Sequence, residues 1–372
     1  MRLLVVALLF ALVILSFVST KVDADDPVST NVSFNREVLR IIQRKCEPCH
    51  TAGGLAFSLS DYRDARAWGR AIREELVEHR MPPPIVARGY GSYLSDPSLN
   101  TREMATFLTW LDGGMPRGDE ADRPKTADAG AAGDVRNASV RLALPPQTVA
   151  PGENLVVRRV MVDASSIVNH SIARIELRPG NRRILRGALV FASNAKSVSS
   201  EPSWLGAWLP WQHAVAPPPT HAFRLQPGTD LRVDLYYKGV DAEATDSSDV
   251  DIVFAPDAAR GSIRDLTVEA AGAGGIRRGT IKLTQPTSIW AVHPQFDASV
   301  ASMELRAQRP DKSVEVLLWM PQPSAEWPIA LVMQDPVNLP AGTTLALVAE
   351  AREQSGSRAP ASATVSVLSP VR

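Results

Sequence analysis

Cys46, Cys49 and His50 stand in the run Cys-Glu-Pro-Cys-His, and no other stretch of the chain gathers reactive side chains so closely. Two thiols separated by two residues and followed at once by an imidazole have the spacing that fastens haem of the c type. Each thiol adds to a porphyrin vinyl group as a thioether. The intervening pair sets the sulfur spacing, and the next residue is carried under the iron as the proximal ligand. A redox dithiol has no need of the histidine. A zinc site needs further ligands, and the chain has no third cysteine. The motif therefore implies one covalent haem c, held by Cys46 and Cys49, with His50 on the iron.

The sixth ligand is open. Met81 lies in His79-Arg80-Met81-Pro82-Pro83-Pro84. The prolines remove backbone donors and hold the chain extended, so that a rigid loop presents the sulfur. Methionine opposite histidine raises the haem potential. Three rivals stand beside it: His79, which would give a lower potential, Met104 on an apolar stripe, and Met115 after a glycine stop. An iron face with no sixth protein ligand would suit a sensor or a peroxidase-like protein.

Helices are expected around this motif. Phe34, Val38, Ile41 and Ile42 recur at helical spacing and would deliver Cys46 to a helix end. Trp68, Ile72, Leu76 and His79 mark a second helix. A third is expected over Thr101–Asp112, with Asn100 as N-cap, Glu103 at the third position, an apolar stripe of Met104, Phe107, Leu108 and Leu111, and Gly113-Gly114 as the stop. Residues 30–118 thus read as a small all-α cytochrome c domain.

At 372 residues the chain is long enough for two or three domains. Lys plus Arg and Asp plus Glu are 40 each, so there is none of the basic excess of a nucleic-acid binder. Arg2, the apolar run Leu3 to Val18 and Val22-Asp23-Ala24 read as a signal peptide over residues 1–24. That run is short for a membrane span of about 20 residues, although an uncleaved anchor is the alternative. The chain is expected in a bacterial periplasm or outside the cell, where c-type haem is attached.

Residues 119–140 are polar and Ala/Gly-rich, and read as a linker. Beyond it, runs of β-formers alternate with turn signals, among them Leu155 to Val162, Ile172 to Leu177, Leu231 to Tyr237, Val250 to Phe254, Val314 to Met320 and Thr344 to Val348. Short strands at such spacing suggest antiparallel sandwiches, here over 141–260 and 261–372. The Trp- and Pro-rich stretch 202–219 could line a groove for a ligand or peptide.

Several of these segments carry a resemblance. Cys46 to His50, Gly53-Gly54, Phe57-Ser58-Leu59, Tyr62, Met81-Pro82-Pro83 and Trp110 to Asp119 resemble a bacterial cytochrome c module that precedes a copper monooxygenase-like region. Arg178 to Arg183, Ala188 to Phe191, Leu205 to Trp208, Leu225 to Asp230, Pro294 to Asp311 and Leu339 to Thr343 resemble the two-sandwich core of copper type II, ascorbate-dependent monooxygenases of the peptidylglycine α-hydroxylating family. The resemblance implies a multidomain fold: a small all-α cytochrome c domain, then an all-β region of two antiparallel jelly-roll-like sandwiches. Where that family places copper-binding histidines, this chain has Arg186 and Gly187, Tyr236 and Lys238, and Gln295 and Asp297. Type II copper needs neutral imidazoles, and cationic side chains repel it. His170, His213, His221 and His293 are scattered, so copper is not expected. The expectation is an exported, iron-containing, metal-binding electron-transfer protein with a non-catalytic β region that docks a partner or ligand. Its redox partner would be a protein or a small electron donor or acceptor. The alternative is a copper monooxygenase supplied with electrons by its own haem.

Overall fold

The structure, a computed structural model, describes residues 30–124, 139–193, 202–212, 214–256, 259–272, 275–352 and 361–369. The expected signal peptide, most of the linker and His213 lie outside the described residues. No helix among those described is long and apolar enough to cross a membrane.

A π-helical turn at Phe34–Val38 runs into α1 (Leu39–Lys45); α2 (Tyr62–Ala67), α3 (Gly69–Val77) and α4 (Thr101–Asp112) follow. The Asn100 side chain accepts from the Glu103 N–H, and the Glu103 carboxylate accepts from the Asn100 N–H, both at 2.9 Å. This reciprocal cap satisfies two amides that a bare helix start would leave open. Phe107, Trp110 and Leu111 of α4 pack with Phe34, Val38 and Ile42 into a helical core. The second expected helix stops early: α3 ends at Val77, and His79 has φ 54°. The Pro82-Pro83-Pro84 run just beyond cannot continue a helix.

The strands are β1 (Val140–Ala143), β2 (Gln147–Val149), β3 (Val156–Val162), β4 (Ser171–Arg178), β5 (Leu185–Ser193), β6 (Ser203–Trp208) and β7 (Ala214–Val215). They continue with β8 (His221–Arg224), β9 (Asp230–Tyr237), β10 (Ala244–Asp246), β11 (Asp249–Phe254), β12 (Gly261–Ala270) and β13 (Ile276–Lys282). The last are β14 (Thr287–Gln295), β15 (Val300–Gln308), β16 (Val314–Met320), β17 (Leu331–Leu339), β18 (Thr344–Ala351) and β19 (Ala361–Leu368). One nine-stranded sheet runs β1-β11-β4-β8-β12-β19-β14-β17, with β7 beside β4. Four-stranded sheets β3-β9-β5-β6 and β13-β18-β15-β16 supply the other layers. The first of these shares a core with β4 and β11, and the second shares one with β12, β14, β17 and β19. β14 serves both: Trp290 and Ala291 enter the first core and Ile289 and Val292 the second, with a bulge between Ile289 and Ala291. Opposite faces of one strand thus seal two cores.

These elements correct the expected fold class. The described residues are mostly β-sandwich, and no self-contained all-α cytochrome c domain is present among them: their four α-helices have 7, 6, 9 and 12 residues. Nor do the β halves separate into two closed sandwiches, because β8 and β12 pair in parallel through Gly261 and His221 and make the large sheet continuous. The chain between α3 and α4 explains the first point. It is too rich in proline for helix, so its backbone groups bond to the β body. The Ala87 N–H donates to the Trp319 carbonyl at 2.8 Å, the Leu94 N–H to Val332 at 2.9 Å, and the Gln334 N–H to Ser92 at 2.8 Å. Ile85 and Val86 are buried in the second β core. Each such side chain contributes about 1.5–3 kcal/mol when fully buried, so this strap welds the helices to the sheets.

Candidate functional site

The Cys-Glu-Pro-Cys-His turn hangs from the C-terminal end of α1. The Cys46 N–H donates to Ile42 at 2.8 Å, and the N–H groups of Cys49 and His50 both return to the Cys46 carbonyl, at 3.0 and 2.8 Å. Gly54 closes the next turn against this one: a Cβ there would lie 2.9 Å from the Cys49 carbonyl oxygen. Cys46 and Cys49 are free thiols, not a disulfide. Burial pushes the pKa of each up to about 12, so both stay protonated. The Arg186 guanidinium, from β5, opposes that rise at Cys49. Protonated, half-buried thiols fit a redox dithiol poorly, since its attacking sulfur needs a depressed pKa.

His50 is fixed by a hydrogen bond. Its Nδ1 lies 3.0 Å from the Phe57 carbonyl oxygen, which can only accept, so Nδ1 carries the proton. Burial lowers the pKa, which favours the neutral ring. The lone pair then sits on Nε2, the arrangement by which a backbone carbonyl orients a metal-binding imidazole. Phe57 also meets the ring edge-on at 4.9 Å, and Trp68 stacks on Phe57 at 4.2 Å.

A cavity of about 230 Å³ opens over this turn. Cys46, Cys49 and His50 line it together with Leu59, Ile72, Leu76 and Phe107. Met81, Pro82 and Pro83 form another stretch of wall. The other expected ligands are elsewhere. Met104 and Met115 pack against the helical core, and His79 is not among the lining residues. The structure thus brings Cys46, Cys49, His50 and Met81 to one apolar space.

The rest of the wall comes from the β body, more than 130 residues from the motif: Trp211, which lies in the Trp- and Pro-rich stretch 202–219 read as a candidate groove lining, and Arg186, Glu326 and Trp327. Sequence reasoning missed Glu326 and Trp327, because no local spacing could reveal them. In the sequence, Arg186 stands out only as a lost copper position. Its Nε bonds Glu326 Oε1 at 2.9 Å, and Lys238 Nζ lies 3.4 Å from the same carboxylate. Gly187 faces Tyr236 across the β5–β9 pair. Gln295 and Asp297 are not part of this group. Gln295 bonds Thr364 at 3.5 Å, and Asp297 accepts from the Ser299 N–H at 2.9 Å.

The described histidines of the β body remain apart. His170 stacks on Phe254 at 4.0 Å. Both nitrogens of His221 are engaged, by Thr220 at 2.9 Å and the Ser369 carbonyl at 2.8 Å. His293 is buried, its Nδ1 2.8 Å from the Ile329 carbonyl. Among the described residues no three His, Cys, Asp or Glu side chains converge to hold a metal ion. This corrects the expectation of a metal-binding protein for centres built from three or more such side chains: none is present among the described residues.

No family model matches the sequence, and no curated protein matches it. Among solved structures, one of peptide-N(4)-(N-acetyl-β-D-glucosaminyl) asparagine amidase is similar at 10% identity and a TM-score of 0.28, over 63% of this chain and 98% of that one. A recombinant peptide:N-glycanase F is similar at 11% identity and a TM-score of 0.29, over 62% and 95% of the two chains. The major capsid protein P2 of bacteriophage PM2 follows at 9% identity and a TM-score of 0.24, over 62% and 97%. Similarity this low carries no argument about this chain's fold or activity.

Proposed function

We propose that this chain is an exported electron-transfer protein that carries one haem c in the cavity above the Cys46–His50 turn. The observation that carries the reading is the convergence of two free thiols, an imidazole with its Nε2 lone pair available, and the Met81 side chain on one apolar space. The donor set fits the group. Cys46 and Cys49 would fasten the porphyrin: each S–H adds across a vinyl double bond, the sulfur to one carbon and the hydrogen to the other, with no external oxidant or reductant. His50 and Met81 would hold the iron. Haem, when bound, supplies a one-electron couple. The apolar wall of Leu59, Ile72, Leu76 and Phe107 keeps water from that couple, and this favours the less charged state. The β body is read as a non-catalytic docking unit.

The test is expression in a host able to mature c-type cytochromes, then denaturation and measurement of porphyrin still attached. One haem per chain is expected, and none for the Cys46→Ala/Cys49→Ala variant. Absence of attached porphyrin in the wild type would falsify the reading. About two coppers per chain, in addition to the iron, would instead support the monooxygenase alternative.

A further inference from the structure

Part of the cavity wall is not helical. The segment 324–328 folds over the start of β5 and presents two side chains to the cavity. Trp327 meets Trp211 edge-to-face at 5.0 Å, and both line the space. Glu326, beside Trp327, binds Arg186 at 2.9 Å and Lys238 at 3.4 Å. The approach of this segment to β5 is close enough to require glycine: a Cβ on Gly187 would lie 2.5 Å from Pro328. Arg186 is 11% exposed and Glu326 is 29% exposed, so this ion pair is largely withdrawn from solvent. Lys238 is 40% exposed and does not line the cavity.

Two of these charges, Arg186 and Glu326, therefore line the same space as Cys49 and His50, with Lys238 on the far side of the carboxylate. The arrangement has one anion between two cations. A charge held beside a redox centre in a medium of reduced dielectric acts on it directly, because little solvent screens it. A nearby cation disfavours the more positive oxidised state and raises the potential; a nearby anion lowers it.

We propose that the β body is the second half of the cofactor pocket, with Trp211 and Trp327 closing it and the Arg186–Glu326 pair setting the charge that the cofactor experiences. This rests on the haem reading above and gives the β body a docking partner, the chain's own cofactor. Arg186 and Glu326 are positioning residues. They act on the iron through the field, not as ligands.

The test uses the full-length holoprotein, with attached haem counted per chain and the midpoint potential measured by optical redox titration. Glu326→Gln leaves Arg186 and Lys238 without their counter-charge and is expected to shift the potential upward. Arg186→Gln leaves the carboxylate in excess and is expected to shift it downward, while Arg186→Lys restores it towards wild type. Lys238→Gln, at the more exposed side of the carboxylate, leaves the packing of the wall alone and is expected to shift the potential downward by less. A merely structural role would move the variants in one direction or not at all. Full haem content with unmoved potentials, or with Glu326→Gln and Arg186→Gln shifting in the same direction, overturns the inference and leaves the haem reading standing. A wild-type chain with no porphyrin overturns both.

Discussion

His50 has two ring nitrogens and only one is free. The bond from Nδ1 to the Phe57 carbonyl and the edge contact with Phe57 set the ring by neighbours within eight residues. Opposite requirements fall on Met81, a residue that is 43% exposed but lines the cavity. An exposed thioether gains little from packing. On the haem reading, Met81→Ala is expected to keep full covalent haem, to lose the weak long-wavelength absorption of methionine-ligated ferric haem and to lower the midpoint potential. Met115→Leu is the matched control. Met115 packs against Gly69 and the helical core, so its replacement is expected to leave spectrum and potential unchanged. Loss of the absorption in Met115→Leu and its retention in Met81→Ala would reverse the assignment.

Elements differ in how local their causes are, and that decides what could be read ahead of the structure. The span and cap of α4 were legible because Asn100 and Glu103 act within one turn. Asn100→Ala removes the side-chain acceptor for the Glu103 N–H and is expected to cost about 1 kcal/mol in chemical unfolding, with the span of α4 unchanged. A loss near zero would mean that packing of Phe107 and Trp110 alone holds the helix start. Strands with alternating β-formers, such as β9 and β11, were legible for the same local reason. β19 was not: Ala361–Leu368 is built from small residues, and its strand character comes from lying between β12 and β14. The end of α3 was misread because apolar spacing runs on to His79, whereas the N–H groups of Arg80 and Met81 both turn back to the Glu75 carbonyl. The site divides likewise. Cys46, Cys49 and His50 are adjacent in the chain, whereas Arg186, Trp211, Glu326 and Trp327 reach the cavity only through long-range pairing.

The whole molecule is held together by contacts that join its parts: the strap at 85–94, the parallel β8–β12 pairing, and β14 shared by two cores. His293 lies at the last of these junctions. It is 1% exposed, stacks on Trp204 at 5.9 Å, lies 5.8 Å from Phe191, and among the described residues its Nε2 has no hydrogen-bond partner. Burial pushes its pKa down to about 4 from an ordinary 6.5; Arg232 lowers it further, and Asp234 and the bond to Ile329 oppose the shift. The folded protein therefore keeps this ring neutral where the unfolded chain protonates it. Above pH 6.5 both states are neutral and the group contributes no pH dependence. As pH falls from 6.5 to 4 the unfolded chain binds the extra proton, and the folded state loses stability on the order of 3 kcal/mol. Below 4 both states are protonated and the loss levels off. His293→Leu places an apolar group between Trp204 and Phe191 and removes the titration. Unfolding of both proteins by denaturant across this range isolates the effect. The wild type is expected to lose stability relative to the variant as the solution is acidified, with the change confined to that window. A difference that stays constant with pH would show that His293 carries its proton inside the fold, and that the junction between the two β cores tolerates a charge.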